Sequence, residues 1–146
     1  MPQQCLIDMK AYMYTCIATC ISGLCILIGT DTPAFKFLLA LMVADYISGL
    51  VVGALRKSKK TKSGGLASPI CSKGLARKGH ILLIIAIAVH LETIMQVQLI
   101  GSITIGWYIA AESLSIIENG GLIGVKYPKR LKKALDILYN EEEDKK

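Results

Sequence analysis

The sequence predicts an all-α fold: a small polytopic membrane protein of about four short transmembrane helices, followed by a basic amphipathic helix. Three observations carry this expectation. Hydrophobic residues make up 53% of the 146, a share that leaves little room for a soluble domain. The charges are gathered in blocks, whereas a soluble domain would intersperse them at helix or strand period. Finally, between Ala11 and Gly29, and again between Phe37 and Leu55, only Asp45 carries a formal charge, in stretches near the roughly 20 residues that a bilayer core requires.

The first segment is expected over about 11–29. It is read as a retained span, because its apolar run exceeds an ordinary signal-peptide core and no convincing small-x-small cleavage site follows; Thr19 is a poor residue before Cys20 for a lipoprotein box. Thr30-Asp31-Thr32-Pro33 supplies turn formers, and its proline suits a helix start rather than a continuing helix. The second segment therefore covers about 34–55. A basic loop at 56–79 follows, with Arg56, Lys57, Lys59, Lys60, Lys62, Lys73, Arg77 and Lys78 and no acid. The third segment is expected over about 80–100 and the fourth over 103–119, ended by Gly120-Gly121. A single long tilted helix with a re-entrant stretch between His80 and Gly121 remains open beside two short crossings.

Residues 1–121 thus form the expected bundle, and 122–146 a cytoplasmic tail. In the tail Pro128 suits a first helical turn, Leu131, Leu135 and Leu138 recur at helical spacing, and Lys129, Arg130, Lys132 and Lys133 fill the other face. That pattern fits a helix lying on anionic lipid headgroups. The excess of lysine and arginine places the 56–79 loop in the cytoplasm, and an even number of crossings then puts both termini there.

The composition also excludes several classes. The five cysteines lack the even, loop-rich spacing of a disulfide scaffold and have no histidine or carboxylate at ligand spacing, so neither a metal nor another cofactor is expected. No GxSxG or HExxH occurs, and His90 and Glu92 point about 200° apart on a helix, which argues against an enzyme. The positive charge flanks membrane segments without interleaved aromatics, so nucleic acid is set aside.

What remains is intramembrane polarity. Asp45, Glu92, Glu112 and Glu118 lie within or at the ends of apolar segments. A charge near a helix centre costs about 2.5–3.5 kcal/mol to insert, so each needs a partner, a proton or water. Tyr108, Glu112, Ser115 and Asn119 follow at intervals of four, three and four, making one polar stripe, and Glu92 shares a face with Gln96. Such stripes suit a wet lumen or a hydrogen-bonded neighbour, and His90 is read in the same way. Ala40, Ala44 and Ser48, beside the Gly49–Gly53 pair, form a small-residue seam for close helix approach.

Three pieces of sequence then converge. DYISGL from Asp45, the later SKGLARK from Ser72, and YIAAESLSIIENGGLIGVKYPKRLKKAL from Tyr108 together resemble the phage holins related to clostridial toxin-secretion proteins. The last piece resembles that family's Glu-x-x-Ser-Ile-x-Glu-Asn element and Pro-x-x-Leu-x-x-Ala-Leu tail. By matching position, Asp45, Gly49, Gly74, Glu112, Ser115, Glu118, Asn119 and Pro128 are the motif residues. The resemblance implies a homo-oligomer that makes lesions in the bacterial cytoplasmic membrane and collapses its potential. Through these a peptidoglycan hydrolase, or in some relatives a large toxin, leaves without necessary direct contact. The alternative is a non-lytic transporter or scaffold subunit that binds partner helices.

Overall fold

A computed structural model describes residues 2–57 and 68–140. Its described residues form five helices: α1 (Pro2–Ile28), α2 (Pro33–Ala54), α3 (Ser68–Met95), α4 (Ile100–Ile123) and α5 (Lys129–Asn140). The first four contain apolar stretches of 22 to 25 residues, long enough to cross a membrane. At 1.5 Å per residue these reach a little beyond a hydrocarbon core about 30 Å thick. The chain is an all-α, multi-pass membrane protein.

Local chemistry explains the ends. Thr32 caps α2, its hydroxyl accepting from the Phe35 amide at 3.3 Å, with Pro33 in the first turn where no amide is missed. Gly29, at φ 80°, closes α1: its own amide reaches Ile26 O and the Thr30 amide reaches Cys25 O. Gly124, at φ 109°, closes α4 with the same pair of bonds, to Gly121 O and, from Val125, to Gly120 O. These are Schellman ends, in which a left-handed residue lets the last carbonyls be satisfied. Arg56 and Gln96 close α2 and α3 in the same way at φ 55°, although neither is glycine.

Three boundaries differ most from expectation. Helix α1 begins at Pro2 rather than near residue 11, since glutamine and lysine continue a helix beyond its apolar run. Helix α3 begins at Ser68, about a turn and a half before Gly74 and well before His80, so Lys73, Arg77 and Lys78 are helical rather than part of a loop. Density of charge made this stretch read as a loop, but lysine and arginine are good helix formers, and Pro69 sits where a first turn tolerates it. Helix α4 runs through Gly120-Gly121 to Ile123, because glycine inside a well-packed helix weakens it without ending it. Between them α3 and α4 are separate helices joined by a short turn, so the long re-entrant alternative falls away.

Helix α4 packs most extensively on α2 and also meets α3 and α5, whereas α1 packs chiefly on α3. The apolar core joins Cys25 and Ile28 of α1, Phe35, Leu38 and Met42 of α2, Ile81, Ile85 and Val89 of α3, and Ile105 of α4. All lie in the halves nearest the 29–32 and 96–99 turns, except Ile81 at the middle of α3. The opposite halves are held differently. Outside, Ile26, Phe37, Val43, Leu83 and Ile94 are exposed, a surface suited to lipid tails and not to water.

Candidate functional site

In the half of the bundle away from the apolar core, three charged side chains converge from three helices. Lys78 of α3 donates to Asp45 Oδ2 of α2 at 2.6 Å and to Glu112 Oε2 of α4. Glu112 is 1% exposed, while Lys78 and Asp45 are mostly covered. Asn119, two turns along α4, donates to Asp45 Oδ1 at 3.2 Å and to Ser48 Oγ at 2.9 Å. Ser48 in turn donates back to the Asp45 carbonyl at 2.9 Å.

These positions follow from helical phase. Phe35, Leu38 and Met42 are the buried face of α2, and Asp45 continues it one turn on. On α3 the buried residues Ile81, Ile85 and Val89 extend backwards at spacings of three and four to Lys78 and Gly74. Each charge therefore lies on the face that its helix buries, and each must find its partner inside. Two carboxylates share one ammonium, and Glu112 Oε1 is buried with no hydrogen-bond partner. An ion group of this kind is held by desolvation as much as by attraction: losing one member leaves a buried charge uncompensated.

Lys78 is the correction to the sequence reading, which placed it among the membrane-surface cations. The phase of Ile81 and Ile85 would have pointed it inward. Arg56, Lys57, Lys73 and Arg77 are exposed, as are Lys129, Arg130 and Lys133 on α5, which also carries Lys132. Lys59, Lys60 and Lys62 lie outside the described residues.

The expected polar stripe of α4 divides. Glu112 and Asn119 turn inward to the ion group; Tyr108 packs against the apolar core and meets Trp107 edge-on at 4.8 Å. Ser115 is half-buried and Glu118 exposed. The small-residue seam on α2 divides: Ala40 and Ala44 are exposed, whereas Ser48 bonds Asn119, a Cβ at Gly49 would stand 3.8 Å from the Asn119 amide nitrogen, and Gly53 is buried.

Glu92, His90 and Gln96 belong to the other end. Glu92 lies beside Gly101, where a Cβ would come within 2.8 Å of Glu92 Oε2, and Glu92 Oε1 is buried without a partner. His90 is exposed, its Nδ1 2.8 Å from the Ala86 carbonyl, and Gln96 is exposed in the turn. Nearby, the Lys36 ammonium pairs with Asp31 at 2.8 Å, and this hydrogen bond, more than that from Cys25, holds the exposed Asp31 carboxyl below its usual range.

One contact the sequence did not suggest ties the tail to the bundle. Tyr127 folds over Gly120 so closely that a Cβ there would meet its ring carbons at 3.0 Å and collide with its hydroxyl. Among the described residues no group of His, Cys, Asp and Glu is gathered closely enough to hold a metal. What the ion group can do is tie three helices in the dry state and hydrate strongly if water reaches it.

Residues 22–140 match the model of the Bacteriophage holin family. A protein of Halalkalibacterium halodurans, described as uncharacterised, is 31% identical over 140 residues, covering 92% of this chain and 98% of its own length. One from Listeria monocytogenes, likewise described, is 35% identical over 114 residues, 75% of this chain and 76% of the relative. A probable holin of Bacillus phage phi105 is 29% identical over 116 residues, 79% of this chain and 81% of the relative. No solved structure matches.

Proposed function

The chain belongs to the bacteriophage holin family, and from that premise we propose that it accumulates in the bacterial cytoplasmic membrane and oligomerises into lesions. Through these a peptidoglycan hydrolase leaves the cytoplasm, or in an export role a large toxin, while the membrane potential collapses. The work is done by assembly and opening, with no bond chemistry. Both termini face the cytoplasm, following the cations at 56–78 and in α5.

The observation that carries this reading is the Asp45–Lys78–Glu112 group inside a bundle whose outer surface is apolar. Dry and paired, it lets the chain remain in lipid without leak. Wet and separated, the same side chains line a polar path. A scaffold that recruits partner helices would keep its polar stripe free, whereas Glu112 and Asn119 find their partners within the chain. The test is expression in a bacterium beside a signal-less cytoplasmic endolysin, following turbidity and potential together. Sudden potential loss, then endolysin-dependent lysis, is expected. Continued growth at full potential, with the protein confirmed in the membrane, overturns the holin reading.

A further inference from the structure

The two halves of α3 are held by different means. From Ile81 onward the helix contributes Ile81, Ile85, Ala88 and Val89 to the buried interior. From Cys71 to His80 no residue is buried. Lys78 hydrogen-bonds this first half to Asp45 and Glu112, Gly74 lies over Tyr46, where a Cβ would stand 3.8 Å from the ring, and the exposed Arg77 acts on Tyr108 of α4 only electrostatically. Helices α2 and α4, by contrast, are joined along their faces, and Asn119 ties them independently of Lys78. The bundle is therefore a fixed pair, α2 with α4, carrying an arm that pivots on an apolar end and is fastened by one ammonium.

We propose that residues 71–80 form a latch arm, with Lys78 as its catch, and that release of Lys78 swings the arm away and admits water to Asp45, Glu112 and Asn119. Release is the opening move of the lesion, a role that rests on the holin reading; the latch itself does not. The direction follows from solvation. With the arm closed the carboxylates are dry, and only the shared ammonium compensates them. With it open all three charges hydrate, so removing the ammonium penalises the closed state far more than the open one. By that penalty Lys78→Met shifts the closed-to-open balance by about a hundredfold or more. Lys78→Arg, which keeps the charge, restores part of it.

The experiment measures the arm directly. In the full chain with its native cysteines replaced by serine, spin labels are placed at Leu75, exposed on the arm, and at Ala54, exposed at the end of α2. Their separation is read by pulsed electron resonance in lipid nanodiscs. A narrow short distribution is expected with Lys78, a longer and broader one with Lys78→Met, and an intermediate one with Lys78→Arg. If Lys78→Met fails to accumulate, Asp45→Asn combined with Glu112→Gln, which leaves the covered ammonium without a counter-charge, should lengthen the distance instead. Distances that ignore these changes overturn the latch. In cells at matched abundance, Lys78→Met should bring lysis forward; a longer distance with unchanged lysis timing overturns the opening role. A parent chain that never collapses the potential contradicts the holin reading alone, and the distances still decide the latch.

Discussion

At the scale of single residues, the chain's polar chemistry is concentrated in groups that cannot be removed singly without harm. Lys78 is the cation shared by the buried Glu112 and the mostly covered Asp45, so Lys78→Met should cost about 3–5 kcal/mol of stability, the usual penalty for orphaning a buried charge. Adding Asp45→Asn and Glu112→Gln to that change removes the orphans, and most of the loss should return. Reversible unfolding in mixed micelles measures both; equal losses in the single and triple variants would show that packing rather than charge holds the site. Asp31 behaves oppositely, being exposed and held by the Lys36 ammonium and the Cys25 thiol. Its folded carboxyl lies below its unfolded value, so its small contribution is present above about pH 4 and fades as pH falls through the folded value. The difference in melting temperature between Asp31→Asn and the parent should therefore be seen at neutral pH and shrink steadily as the pH is lowered below about 4.

At the scale of elements, four helices stop by the same left-handed device, and only two have the residue that suits it. A left-handed non-glycine residue costs roughly 1–2 kcal/mol, so Gln96→Gly should raise stability by about 1 kcal/mol once its extra chain entropy is subtracted. Gly124→Ala should lower it by a similar amount; melting in micelles reads both, and a fall with Gln96→Gly would mean that its side chain does more than close the turn. The break between α1 and α2 was legible from local residues. Gly29 and Thr32-Pro33 are local signals, and the second segment was expected at 34–55 against Pro33–Ala54 observed. Where the sequence misled, composition had been read in place of phase. Arg77 and Lys78 made the start of α3 look like a loop, yet Gly74, Lys78, Ile81 and Ile85 share one helical face. Asp45 and Glu112 were legible as residues in need of a partner, but the partner came from a segment assigned to the surface. The Tyr127–Gly120 contact rests on the path of the chain after Gly124, which periodicity does not report.

At the scale of the whole molecule, one chain encloses a filled interior: Phe35, Leu38 and Ile85 are fully buried where its helices meet. On the holin reading proposed above, a passage for a folded enzyme would be bounded by several copies, with polar faces turned from the chain interior towards water. That rearrangement moves charge. Among the charged side chains turned towards the chain interior, the three acids Asp45, Glu92 and Glu112 stand against the one ammonium of Lys78. A potential of 100 mV acts on each charge carried fully across by about 2.3 kcal/mol, and on one carried half-way by about 1 kcal/mol. Even the smaller figure, summed over the copies of an assembly, is enough to set when it opens. Lysis by the parent chain should therefore come forward when a protonophore removes the potential. In the Asp45→Asn, Glu92→Gln, Glu112→Gln chain only the ammonium remains of the four, so this response should disappear or change sign, whatever the variant's own baseline timing. An advance equal to the parent's would place the voltage-sensitive charge elsewhere, with the basic 56–78 segment and the α5 tail as the remaining candidates.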